Sequence, residues 1–169
     1  MKTIICFVYL AGVLAVSRLI PHPPNFTPII AMAIFVPHMI KDKYMAMALP
    51  LLAMFISDLF IGLHQYMIWV YGSIMLCTLL SMATVKIKKH THLALMALLS
   101  SVVFYLITNF GVWLTWDYYP KTIDGLIACY TMAIPFFKNT LFGTITYTMF
   151  LMLGSYVISV VTNKKEIYE

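Results

Sequence analysis

Long uninterrupted apolar runs are the feature that most constrains how this chain can fold. Examples are MAMALPLLAMF at 45–55 and LALMALLSSVVFYLI at 93–107. These runs do not alternate apolar with polar residues, as the strands of an outer-membrane barrel do. Only 10% of the residues are charged, whereas about a quarter of the residues in a soluble domain are. The sequence therefore predicts an all-α integral membrane protein.

We predict a single membrane domain over 1–169 with six transmembrane helices, since each crossing needs about 20 apolar residues. The expected spans are 3–20, 27–40, 44–63, 66–85, 93–115 and 140–162, with a short extra helix on the outer face at 123–137. Pro135 is expected to break the last apolar stretch between these two pieces. The first run also resembles a signal peptide, but only Lys2 precedes it, and cleavage would leave an odd number of spans.

The basic residues fall mainly on one side of the predicted spans, which orients the chain. One side carries Lys2, Lys41, Lys43, Lys86, Lys88, Lys89, Lys164 and Lys165. The other side carries Arg18, Lys121 and Lys138. Cytoplasmic loops are enriched in lysine and arginine, so both termini are expected in the cytoplasm. Because the lysines lie at the segment ends, the net charge of +5 does not indicate nucleic-acid binding.

Several polar residues interrupt or border the predicted apolar spans, and all of them are expected in the outer half of the bundle. The candidate substrate-binding residues are Arg18, His22, Asn25, Asp58, His64, Asn109, Lys138 and Asn139. A charged group inside the membrane is costly and is usually functional. The proline-rich segment PHPPNFTP at 21–28 is stiff, because each proline fixes its own φ. We therefore predict a cavity that opens to the outside beneath a rigid rim.

Several of these residues also have structural interpretations. Arg18 and Asp58 are suited to pair with each other and fasten two helices together. Asn25 is suited to cap a helix that begins near Thr27, and Asn109 to hydrogen-bond between helices. Lys138 would lie at the start of the last helix, where a cation is unfavourable, and this misfit favours a functional role.

The sequence carries no motif for catalysis or for a metal site. It lacks HExxH, GxSxG, a phosphate-binding loop and closely paired carboxylates. Cys6, Cys77 and Cys129 lie far apart in apolar segments, as buried structural cysteines do. We therefore predict a protein that is not an enzyme and that holds no metal or cofactor. Ala11 and Ala15, four residues apart, would allow a neighbouring helix to approach closely.

Four motifs occur in order: SRLIPHPPNFTPIIAMAIF, SDLFIGLH, TNFGVWL and IPFFKNTLFGTITYTMFLMLG. With them the chain resembles a family of small bacterial membrane proteins of unassigned function. That family is related to the substrate-binding S components of energy-coupling-factor (ECF) vitamin transporters, and the BtuM-type cobalamin transporter is a near relative.

The resemblance implies a subunit of the bacterial cytoplasmic (inner) membrane that binds a vitamin-like small molecule, with cobalamin as one candidate. It further implies docking, through Ala11 and Ala15, onto a membrane coupling protein that is carried by two ATPases. In the cobalamin relative a pocket cysteine meets the metal, and no cysteine here aligns with it clearly.

Two other classes of function are compatible with the sequence. A solitary channel or secondary transporter would work without an ATPase, although the inner half of the chain offers no polar path. A membrane scaffold or an intramembrane enzyme would use His22, Asp58 and His64, although no nucleophile accompanies them.

Overall fold

The computed structural model describes Ser17 and residues 21–87 and 90–161. These residues form five helices: α1 Ile29–Met39, α2 Lys43–Ile61, α3 Met67–Thr84, α4 His90–Thr115 and α5 Ile123–Val161. The last four are long and apolar enough to cross a membrane. Many of their large apolar side chains are exposed, such as Phe60 at 87% and Ile68 at 76%. This pattern is compatible with a multi-pass membrane protein whose outer surface faces lipid.

Helix α1 is the hub of the bundle. Its residues from Ile29 through Pro37 are all buried, and it packs against each of the other four helices. A helix that is apolar on every side belongs inside a protein. With 11 residues it is about 16 Å long, which is too short to cross the roughly 30 Å of hydrocarbon. Because protein surrounds it, its length need not match the membrane.

Helices α2, α3 and α4 begin and end within three residues of the predicted spans 44–63, 66–85 and 93–115. Each begins or ends at a short connection. Asp42 caps α2 by accepting a hydrogen bond from the backbone N–H of Met45 at 2.9 Å. Small hydroxyl residues let the helices approach each other, and Ser81 of α3 donates to the carbonyl of Ile34 in α1 at 2.5 Å.

The prediction of a break near Pro135 is wrong, since α5 runs without interruption from Ile123 to Val161. A proline inside a helix removes one hydrogen bond and costs about 3 kcal/mol. The long contact between α5 and α4 offsets this cost, and a break would expose unpaired backbone groups at membrane depth. Lys138 and Asn139 consequently lie in the middle of a helix rather than at its start.

The prediction of six spans is also wrong for the part of the chain that the structure describes. It contains five helices, of which four are long enough to span. The segment 27–40 is the short buried helix α1, and 123–137 and 140–162 belong to one helix. The predicted first span at 3–20, with Ala11, Ala15 and Arg18, lies outside the described residues apart from Ser17.

Candidate functional site

A cavity of about 370 Å³ opens at the end of the bundle where α3 and α5 begin and α4 ends. Its walls come from these three helices, and Asn25 contributes from the loop at 21–28. Small-molecule sites typically measure about 300–1,000 Å³. The cavity is therefore large enough for a small ligand.

Aromatic side chains dominate the lining of the cavity. They are Tyr66, Phe104, Tyr105, Trp116, Tyr119, Phe136 and Phe137. Tyr66 meets Trp116 edge to face, with ring centroids 5.4 Å apart, and Tyr105 lies 4.8 Å from Phe137. Such pairs add about 0.5–1.5 kcal/mol beyond the area that they bury, so they hold the walls in a defined shape.

Most of the polar groups in the lining already donate hydrogen bonds to the protein. The Tyr105 hydroxyl donates to the carbonyl of Tyr130 at 2.6 Å. Thr108 and Thr140 donate to carbonyls one turn earlier in their own helices. The Asn109 amide donates to the carbonyl of Tyr105 at 2.8 Å, within α4. We expected the Asn109 side chain to hydrogen-bond to another helix, but its amide donates within its own helix.

The loop at 21–28 is fixed against α5 and forms one edge of the cavity. Asn139 donates from its side-chain amide to the carbonyl of Pro24 at 3.0 Å. The Phe26 ring lies 5.6 Å from that of Tyr147, and the Phe26 backbone passes so close to Gly143 that a Cβ there would lie 3.1 Å from its Cα. Asn139 thus supports the rim, and it does not itself line the cavity.

Asn25 adopts the left-handed backbone conformation, with φ at 65°. Its neighbours complete a tight turn, in which the Phe26 N–H donates to the carbonyl of Pro23 at 3.0 Å. The expected capping role is wrong: α1 begins at Ile29, and its N-cap residue is Pro28 without a side-chain cap. The turn instead brings Asn25 to the mouth of the cavity.

Asp58 and His64 lie beside the cavity, outside its lining. The Asp58 carboxylate is 3% exposed and accepts a hydrogen bond from the Tyr71 hydroxyl at 2.7 Å. His64 Nε2 lies 3.8 Å from the same carboxylate. The His64 ring packs 4.2 Å from Tyr66, which does line the cavity. Arg18, the expected partner of Asp58, lies outside the described residues. The structure shows Tyr71 and His64 beside the Asp58 carboxylate instead.

The remaining predicted residues are dispersed. Lys138 is exposed on α5, and His22 is half-buried on the rim loop; neither belongs to the described lining. Cys77 is fully buried near Ser100, away from the cavity. Cys129, in contrast, lines it, and its thiol donates to the carbonyl of Asn109 at 3.4 Å.

The aromatic lining was not identified from the sequence, because only polar and charged residues were selected as candidate ligand contacts. A periodicity signal was present. The α4 residues of the cavity recur at helical spacing, so they share one face of the helix: Phe104, Tyr105, Thr108, Asn109 and Val112. The α5 residues Cys129, Met132, Ala133, Phe136, Phe137 and Thr140 do the same.

The loop that follows α4 is held by its own hydrogen bonds. Lys121 donates from its ammonium group to the carbonyls of Trp113 and Trp116. A cation at a helix C-terminus is favourable, because the last carbonyls carry partial negative charge. Trp116 also donates from its indole to the Gln65 side chain at 3.2 Å, which joins the two loops at this end of the molecule.

Among the described residues, no three histidine, cysteine or acidic side chains lie close enough together to hold a metal ion. The chemistry that the cavity does offer is aromatic contact with a few hydrogen-bonding oxygens. It provides no nucleophile–base pair among its described lining residues.

A family model matches residues 1–165, and its description is a family of unknown function, DUF6580. No curated protein and no solved structure matches the chain. The match covers nearly the whole sequence, including every helix described above. The chain therefore belongs to the family of unknown function DUF6580.

Proposed function

We propose that this protein binds a small vitamin-like molecule at the outer face of a bacterial cytoplasmic membrane, as the substrate-binding subunit of an ECF-type uptake system. The observation that carries the proposal is the cavity of about 370 Å³ beneath the fixed rim loop, at one end of a bundle with four apolar spans. Both termini are proposed to be cytoplasmic. The charge pattern supports this, since Lys41, Lys43 and Lys86 lie at the end opposite the cavity.

The packing below the cavity favours a binding subunit over a solitary channel. A buried apolar cluster that includes Ile34, Phe35, Val36, Leu93 and Met96 fills the space between α1, α4 and α5. A channel needs a polar or wettable path, and close-packed side chains do not offer one. The resemblance to S components adds to the proposal a membrane coupling protein with two ATPases, which would supply the energy for release.

We do not propose cobalamin as the substrate. The cavity volume lies near the lower end of the range for ligand sites. A corrin ring with its nucleotide loop is far larger than the drug-sized molecules that such cavities enclose. A molecule of one or two rings fits the volume better.

The proposal is tested by native mass spectrometry of the protein released from its own membranes in mild detergent. Ala133 is 7% exposed and lines the cavity, so Ala133→Phe should fill it. Ala128 lies on the same helix but is exposed and outside the lining, so Ala128→Phe is the matched control. We expect a small-molecule adduct on the wild type and on Ala128→Phe, and its loss from Ala133→Phe.

Retention of the adduct by Ala133→Phe would place binding elsewhere, provided that both variants elute as monodisperse proteins with similar thermal midpoints. A wild-type protein without any adduct, even after addition of a vitamin mixture, would contradict the proposal. Affinity capture from the native membrane should also recover a coupling protein with two ATPases. Capture without them, alongside a bound ligand, would favour a solitary transporter.

A further inference from the structure

The charge of the cavity lining restricts what can bind there. Its described lining residues include no Asp, Glu, Lys, Arg or His. The buried carboxylate of Asp58 lies outside the lining and accepts a hydrogen bond from Tyr71. An ion that enters a largely apolar cavity loses its hydration and is not compensated unless an opposite charge meets it. The described part of the lining therefore disfavours ligands with a net charge.

The aromatic residues define the shape that the cavity prefers. Tyr66 and Trp116 form one ring pair in its lining, and Tyr105 and Phe137 form another. Flat ring systems gain from offset or edge-to-face contact with such side chains. A saturated ring of the same size buries similar area but does not gain this contact.

The hydrogen-bonding groups restrict the ligand further. Tyr105, Thr108, Asn109, Thr140 and the Cys129 thiol have already donated to the protein. Their oxygens keep acceptor lone pairs, above all the side-chain carbonyl of Asn109. An anion needs several donors, and along α4 and α5 the hydroxyl and thiol donors are already engaged by carbonyls of the protein. A neutral ligand that donates through an N–H or O–H group matches the acceptors along these two helices, and Tyr66, Tyr119 and Asn25 add polar groups elsewhere in the lining.

We infer that the ligand is an uncharged, planar aromatic molecule that donates hydrogen bonds to the cavity. This inference rests on the proposed function, because it names the substrate class of the same site. A cation could gain from the aromatic faces, but the described lining holds no carboxylate to balance its charge.

Four small probes separate charge from aromaticity: benzamide, cyclohexanecarboxamide, benzoate and benzylamine. Binding to the full-length protein in detergent is measured by saturation-transfer NMR, with dissociation constants from titration. Only signal that disappears in Ala133→Phe and persists in Ala128→Phe is counted as binding in the cavity. Val112→Phe fills the cavity from α4. It is a second, independent variant, so the result does not depend on whether Ala133→Phe folds.

Benzamide is expected to bind most tightly. Cyclohexanecarboxamide should bind roughly threefold to tenfold more weakly, because it lacks the aromatic contact. The dissociation constants of benzoate and benzylamine should exceed that of benzamide by at least about tenfold, because each of the two carries an uncompensated charge.

Two results would overturn the inference, and they can be told apart. If benzoate, benzylamine or the saturated amide binds in the cavity as tightly as benzamide, the substrate class is wrong while the proposed binding function stands. A preference for benzoate would point to a cation such as Arg18 at the site. If no probe shows binding that depends on Ala133 and Val112, the cavity is not the binding site, and the proposed function fails with the inference.

Discussion

Single residues set how closely the helices approach each other around the cavity. At Gly111 of α4 a Cβ would lie 2.2 Å from Cγ of the Trp69 side chain, so the indole of α3 occupies the space that any other residue would need. Asn109 and Val112 flank this contact and line the cavity. The spacing of α3 and α4 at the site therefore depends on the absence of a side chain at residue 111.

Gly111→Ala is expected to destabilise the protein by about 1–3 kcal/mol, because the added methyl group overpacks a filled contact. Gly72→Ala is the matched control on α3, where a Cβ meets nothing within 4 Å, and it should leave stability unchanged or slightly raised. Thermal unfolding in detergent measures both variants. Equal midpoints for the two would show that Trp69 does not pack on Gly111. The cost of Gly111→Ala should shrink in a Trp69→Ala background, since the two residues are in contact.

At the scale of elements, one edge of the cavity is the rim loop at 21–28, which packs against the continuous helix α5. The rim at 21–28 is fixed to α5 by Asn139, Gly143 and Tyr147. These three residues lie at intervals of four along α5, so they share one face. Had α5 been broken at Pro135, that face would not be aligned with Ala133 and Phe136 of the cavity wall.

The left-handed turn at Asn25 gives a test of the rim. A β-branched residue is poorly accommodated at positive φ, and Asn25→Val should cost about 1–2 kcal/mol. Asn25→Gly removes the same amide but keeps the turn. Hydrogen–deuterium exchange of the Phe26 and Thr27 amides should accelerate in the valine variant alone. Identical exchange in both variants would contradict the positive φ at this position.

At the scale of the whole molecule, the two ends differ in chemistry. The cavity end carries the rim, Lys121 and the aromatic residues, and the other end carries most of the described lysines. If the proposed orientation holds, the loop with Tyr118 faces the outside and the loop with Ile87 faces the cytoplasm. Both residues are exposed, at 71% and 47%.

Labelling of single cysteines in intact cells tests this orientation. Tyr118→Cys should react with a membrane-impermeant maleimide, whereas Ile87→Cys should react only after the membrane is permeabilised. A Cys6→Ala background limits the native thiols to Cys77 and Cys129, which are buried, and the background protein is the control. The reverse pattern of labelling would invert the topology and direct the cavity to the cytoplasm.

The sequence by itself determined the class of the protein and the approximate bounds of α2, α3 and α4, because long apolar runs and boundary charges are local signals that lipid imposes. It also placed Asn25 and Asn109 at the same end of the bundle, where both line the cavity. Only the tertiary structure decided that Ile29–Met39 is a buried hub and that α5 continues through Pro135. Burial and the cost of a break depend on neighbouring helices, which single-chain patterns do not reveal. For the same reason the sequence did not reveal that Asp58 accepts a hydrogen bond from Tyr71 or that aromatic residues line the cavity.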